Sequence, residues 1–248
     1  MDSIQKELDK LFEKWKESYI LSKDGILNEE LYWKNIPRIV FLLKDTHGDF
    51  IEIAPLAVED KDGYGPDGSS YWFWRNLRSW QYVIENIVGK IINSIDNKKL
   101  QFSFKQNEIN EIMETPLTGV GYINIKKLKG ESSIEWPILY YFAKKDARFL
   151  RKELNLLKPH IIFCCGYNEN PRYSNYECLK IIEPAFKKAK QLSYSVYESN
   201  GILAIDWWHP SARDLNGISW EQLISEDQFC HPKVIEAIKK LKWNNKNI

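Results

Sequence analysis

The order of apolar runs predicts an α/β fold: one domain over residues 1–248, built as a three-layer sandwich with a central, mostly parallel four-stranded sheet flanked by helices. Three observations carry that expectation. Four short, continuous apolar runs of strand length each end abruptly in polar residues or glycine, the pattern of strands buried on both faces. Longer stretches between them place apolar residues at helical spacing. No repeat, linker or low-complexity tract divides the 248 residues, which suffice for one sizeable core.

The elements follow in order. Ile4, Leu8, Leu11, Phe12, Trp15 and Tyr19 fall on one helical stripe, so a helix within residues 1–20 is expected to pack on the domain, capped by Asp2 or Ser3. Arg38 to Leu43 reads as the first strand, delivering Lys44-Asp45-Thr46-His47-Gly48-Asp49 as a loop. Asp60 to Ser70 is rich in Gly, Asp and Pro and reads as exposed loop. Trp72, Phe73, Leu77, Trp80, Ile84, Ile87, Val88 and Ile91 then mark a long amphipathic helix. Thr118 to Ile125 reads as the second strand, followed by a polar loop from Lys126 to Ser133. A helix carrying Phe142, Phe149, Leu150, Leu154 and Leu157 runs toward Pro159, and Ile161 to Gly166 reads as the third strand. Residues 176–189 are expected to be helical, kinked or divided at Pro184. Gly201 to Asp206 is the fourth strand, and Pro232 suits the first turn of a last helix reaching Leu241. Strands alternating with helices imply a parallel sheet whose site lies beyond the carboxyl ends of its strands.

Composition bounds the partners. Lys and Arg number 35 against 34 Asp and Glu, a net charge of +1, so no global polycation exists to hold nucleic acid. Contact with DNA must come from a local basic face or from helix N-termini. The 10 Trp, 13 Tyr and 11 Phe can stack bases but by default build cores. Cys164, Cys165, Cys178 and Cys230 lie at no metal-ligand spacing, so neither a cluster nor another cofactor is expected. The charged N-terminus and the lack of a span-length apolar run predict a soluble, cytoplasmic protein. No Walker-type or dinucleotide glycine loop is present.

Two loops carry motifs. Leu43-Lys44-Asp45-Thr46-His47-Gly48 follows the first strand, and His209-Pro210-Ser211-Ala212-Arg213 follows the fourth. Between them come Gly121-Tyr122-Ile123-Asn124 and the run from Leu157 to Gly166. In this order the set resembles the uracil-DNA glycosylase superfamily. The resemblance implies a glycosidase that flips a base out of DNA and hydrolyses its N-glycosidic bond, leaving an abasic site. Asp45 would handle the water and balance an oxocarbenium-like sugar. His209 would donate to the departing base, as an oxyanion-hole donor does. Asn124 would read the base edge, Phe50 would stack beneath it (with Tyr64 or Phe73 as substitutes), Ser211 would hold a phosphate, and Arg213 would fill the vacated hole. Lys126 and Lys127 read as phosphate-facing. DNA is the implied partner, with no membrane, and a monomer is expected.

Lys44 stands where familiar uracil enzymes carry glutamine or glutamate, Thr46 replaces their proline, and residues 49–80 are unlike their pocket segment. The base excised is therefore open between uracil, a damaged base and a hypermodified base. A hypermodified viral base would make this an antiphage defence enzyme rather than a DNA repair enzyme. Two other classes stay open. One is a catalytically silent nucleic-acid-binding module on the same fold. The other is a metal-dependent nuclease using Asp45, Asp49, Asp206 and His209. At the residue level, Asp45 can be a cap, Asn124 can satisfy a buried backbone group, and the lysines can be a solvated cluster.

Overall fold

The computed structural model describes residues 3–16, 24–47, 69–94, 100–113, 115, 117–130, 134–167, 170, 172–210, 220–225 and 227–241. All seven described strands join one sheet. They are β1 (Gly25–Ile26), β2 (Ile39–His47), β3 (Gly121–Gly130), β4 (Ile161–Cys165), β5 (Lys190–Gln191), β6 (Val196–Ser199) and β7 (Ile202–Trp207). Their order is β1-β3-β2-β4-β7-β6-β5. The four apolar runs form its centre, β3-β2-β4-β7, with all three pairings parallel. The expectation of a four-stranded, mostly parallel sheet needs correcting at both edges. There β1 pairs antiparallel with β3, β6 with β7 and β5 with β6, so the sheet is mixed. The physical reason is that a continuous apolar run marks only strands covered on both faces, and these edge strands are two to four residues long with Lys190, Gln191 and Glu198 among them.

Side chains alternate across the sheet and build two cores. Ile39, Phe41 and Leu43 of β2, Tyr122 of β3, Phe163 of β4 and Ile205 of β7 face α3 (Ser69–Asn93), which supplies Leu77, Trp80, Ile84, Ile87 and Ile91. Short α4 (Gln106–Met113), α8 (Trp220–Leu223) and α9 (Pro232–Lys240) pack on the same side through Ile109, Leu223 and Val234. Val40, Leu42, Ile123, Ile162 and Ala204 face the opposite way, against α1 (Ile4–Lys16), α5 (Trp136–Lys145), α6 (Ala147–Leu157) and α7 (Asn175–Ile182).

The predicted stripe on α1 is buried at Leu8, Leu11, Phe12 and Trp15, and Trp15 stacks on Phe149 of α6 at 5.1 Å; Tyr19 lies outside the described residues. Glu29, opening α2 (Glu29–Lys34), accepts from Ser3 Oγ and Ile4 N–H and so fixes the start of α1. The helix expected before Pro159 is two helices, α5 and α6, meeting at Asp146. Pro184 does divide its segment: α7 stops at Ile182, and Pro184–Lys188 is a 3-10 turn. No helix among the described residues is long and apolar enough to cross a membrane.

One boundary matters for function. The chain does not leave the sheet at Lys126 but continues as β3 to Gly130, paired with an extended β2 across an irregularity between Asp45 and Thr46. Asp45 and Lys126 are therefore strand residues at the carboxyl end of the sheet.

Candidate functional site

The parallel core has a switch point where β2 sends its connection to β3 on one side while β4 and β7 extend the other, and ligands bind beyond the strand ends at such a point. Its two lips are the ends of β2 and β4. Gly166, just past β4, lets them meet: a Cβ there would lie 2.8 Å from Asn175 Oδ1 and 3.1 Å from Lys44 Cε. The buried Asn175 amide donates to Leu42 O at 2.9 Å and Cys165 O at 2.8 Å, stapling the two strands.

Register places the candidate residues on this rim. Asp45 lies opposite Lys126 and Leu43 opposite Asn124. Alternation turns Asn124 and Asp45 to the α3 face, with their β-carbons about 7 Å apart by the usual diagonal spacing. The Asp45 carboxylate is only 8 % exposed, and Lys126 Nζ is 3.7 Å from its Oδ2. Lys126 is thus an electrostatic partner of the carboxylate rather than a solvated loop residue.

Asn124 is 1 % exposed, and among the described residues neither its Oδ1 nor its Nδ2 has a hydrogen-bond partner. That overturns the reading in which Asn124 satisfies a buried backbone group. Leaving such groups unpaired costs about 1–3 kcal/mol each, so this donor and acceptor gain from any partner that reaches them.

Behind Asn124 the strand is anchored by charge. Asp24 Oδ2 accepts the Asn124 backbone N–H at 2.5 Å. Lys127 Nζ donates to Asp24 Oδ1 and lies 2.8 Å from Glu153 Oε2, with all three side chains fully buried. Phe12 and Trp15 cover the ammonium at 5.5 and 5.4 Å. Burial, with the Asp24 charge second, holds the Glu153 carboxyl well above the usual carboxylate range against the pull of Lys127. With one proton on Glu153 the trio is neutral. The expectation that Lys127 contacts DNA is therefore wrong: it faces the α1 and α6 side and exposes no surface to a phosphate.

His209 follows β7, two strands from β2, so about 10 Å separates the two strand ends at ordinary strand spacing. The N-terminal part of α3 packs against the His209 end. Phe73 brings its ring within 6.1 Å of the imidazole, and Asn76 Nδ2 donates to Pro210 O at 2.7 Å, fixing the His-Pro turn. Phe73, one of the two substitutes named for the stacking aromatic, therefore stands beside His209. Phe50, Tyr64, Asp49, Ser211 and Arg213 lie outside the described residues, as does the side chain of His47.

On the opposite face, Lys44 reaches over Trp136 at 4.4 Å, and burial lowers its pKa. Asp206 also faces that side, where burial pushes its carboxyl up to about 7 despite the Ser174 hydroxyl. Asp206 and Asp45 thus project from opposite faces, which separates the ligands a metal-dependent nuclease would need to bring together. Among the described residues no three His, Cys, Asp or Glu side chains gather around a common ion position.

Asp24, Asn175 and the contact of Phe73 with the histidine leave no local signal in the chain, since each acts through partners distant along it. Comparison of the chain with protein-family models, with characterised proteins and with solved structures finds no match.

Proposed function

We propose that the protein is a monofunctional DNA glycosylase that hydrolyses the N-glycosidic bond of a flipped base and acts as a monomer without a cofactor. The observation that carries this reading is the Asn124 amide, buried with both polar atoms unpaired on the same sheet face as Asp45. An amide offers one acceptor and two donors, the pattern needed for bidentate reading of a base edge. A flipped base supplies the missing partners and recovers the desolvation cost.

The remaining residues suit the chemistry. As the glycosidic bond lengthens, positive charge grows on the sugar and negative charge on the base. Asp45 balances the first and takes a proton from the attacking water, with the Lys126 ammonium 3.7 Å from its carboxylate. His209 donates to the base oxygen on which charge accumulates. Phe73, beside His209, gives the base an aromatic wall. The base itself, uracil or a damaged or hypermodified one, and with it a repair or an antiviral role, depends on chain outside this rim.

The test is base release with chelator present, on DNAs carrying uracil and a panel of modified bases. Alkali-labile abasic sites are expected for at least one substrate, reduced by at least 10²–10³ in Asp45→Ala and His209→Ala. Release that persists in both variants, or strand breaks that need added metal, would remove the glycosylase reading.

A further inference from the structure

Trp208 ties the candidate site to a second concavity. A cavity of about 390 Å³ opens beside the end of β7, between the loop joining β5 to β6 and the segment after α8. Its volume lies within the roughly 300–1,000 Å³ of small-ligand sites and is far too small for a duplex. Aromatic rings form one wall. Tyr167 and Trp208 meet edge to face at 5.0 Å, and the Tyr167 and Tyr194 hydroxyls lie 3.0 Å apart. Both ring-bearing segments are fixed by the backbone, since Gly166 and Tyr167 N–H groups donate to Trp207 O at 2.8 and 2.7 Å.

The other wall is polar and equally fixed. Ser195 Oγ donates to Gln228 Oε1, which leaves the Gln228 amide hydrogens to donate elsewhere. Ser225 Oγ donates to Asp227 Oδ1 at 2.5 Å, which leaves the second carboxylate oxygen as an acceptor. The Tyr194 N–H donates to Asp227 O at 3.1 Å and holds that loop against the cavity. Trp207, also at the wall, is 3 % exposed, and its indole N–H has no hydrogen-bond partner among the described residues.

Flat aromatic walls favour a flat π system. A fixed donor beside a fixed acceptor suits the edge of a heterocycle that itself carries both. Asp227 repels phosphate, so the occupant is the base and not the charged backbone. The geometry points to a second nucleobase pocket, one residue from His209, that receives the base next to the flipped one on the same strand. The placement on DNA rests on the glycosylase reading, whereas the pocket's affinity for a nucleobase does not. Capture of a neighbouring unpaired base makes single-stranded or locally opened DNA the preferred substrate, because pairing would hide that edge.

Two measurements on the full chain test this. Titration calorimetry with the four common deoxynucleosides is expected to detect binding of at least one, weakened tenfold or more in Trp208→Ala and in Tyr167→Leu. Circular dichroism confirms that each variant is folded, and the second guards against misfolding of the first. No nucleoside binding to the wild type, or unchanged binding in both folded variants, overturns the pocket. In the base-release assay, single-stranded DNA with an abasic analogue next to the target is expected to raise KM about tenfold in the wild type and not in Trp208→Ala. An unchanged wild-type KM overturns the placement of the neighbouring base and assigns the pocket to free nucleosides. Absence of base release from every DNA would instead sink the glycosylase reading, with the nucleoside titration still deciding the pocket.

Discussion

Lys127→Met isolates the buried trio. The substitution removes the one cation and leaves Asp24 and Glu153 facing each other with side chains fully buried. Breaking a buried pair by removing one partner costs about 3–5 kcal/mol. Unfolding entropy near 2.1 cal/mol/K per residue gives about 0.5 kcal/mol/K for 248 residues, so the melting temperature is expected to fall by about 6–10 °C at pH 7. The fall carries a pH signature. Glu153 holds its proton in the fold above its unfolded pKa, so its contribution is complete below about 4.5 and declines as pH rises toward the folded value. Without Lys127 the buried Asp24 and Glu153 side chains have no cation between them, so the loss is larger at pH 8 than at pH 5. Differential scanning calorimetry across that range reads both effects. A drop below about 2 °C, or one equal at both pH values, would refute the neutral charged trio. Asp24→Asn combined with Lys127→Met should recover part of the loss, since removing both charges leaves less to compensate.

Asn124→Leu should abolish base release while leaving the melting temperature equal or higher, because it replaces two unpaired polar atoms with an apolar side chain; a large loss of stability would show that the amide holds the fold. Asp206→Asn should gain about 2 kcal/mol relative to the wild type between pH 5 and pH 8 in denaturant titrations. The wild-type carboxyl, raised to about 7, is neutral at the lower pH and a buried anion at the higher, so its contribution is lost as pH rises; an equal gap at both pH values would contradict this. Gly166→Ala should cost about 1–3 kcal/mol and lower kcat/KM together, since its methyl drives into Asn175 and opens the staple between β2 and β4; wild-type activity and stability would remove the staple's role.

What could be read in the chain alone follows from burial. The β2, β3, β4 and β7 runs were legible because both faces of each strand are covered, which makes most of their positions apolar. β5 and β6 carry polar residues and few positions, so nothing in the pattern separates them from turn. The continuation of β3 was written in the alternation: Ile123, Ile125 and Lys127 share one face, but a lysine breaks an apolar run. Asp24, the group that makes burial of that lysine tolerable, is 103 residues away. Asp45, Asn124 and His209 were named from their positions after or within strands, and the sheet sets them along one rim. Their setting, with Lys126 on the carboxylate and Phe73 beside the imidazole, comes from tertiary neighbours that local spacing does not encode.

The two outermost strands also govern how copies of this chain can meet. β1 and β5 are two residues each, so either margin of the sheet exposes only a few main-chain groups to an incoming strand. The outer margin at β5 carries Lys190 and Gln191, both exposed, and an exposed lysine on such a margin disfavours lateral addition of another strand. Zippering of one sheet onto the next is thereby discouraged, even though the central strands are apolar enough to aggregate if uncovered. Strand-to-strand association of folded copies through the β5 margin is accordingly disfavoured.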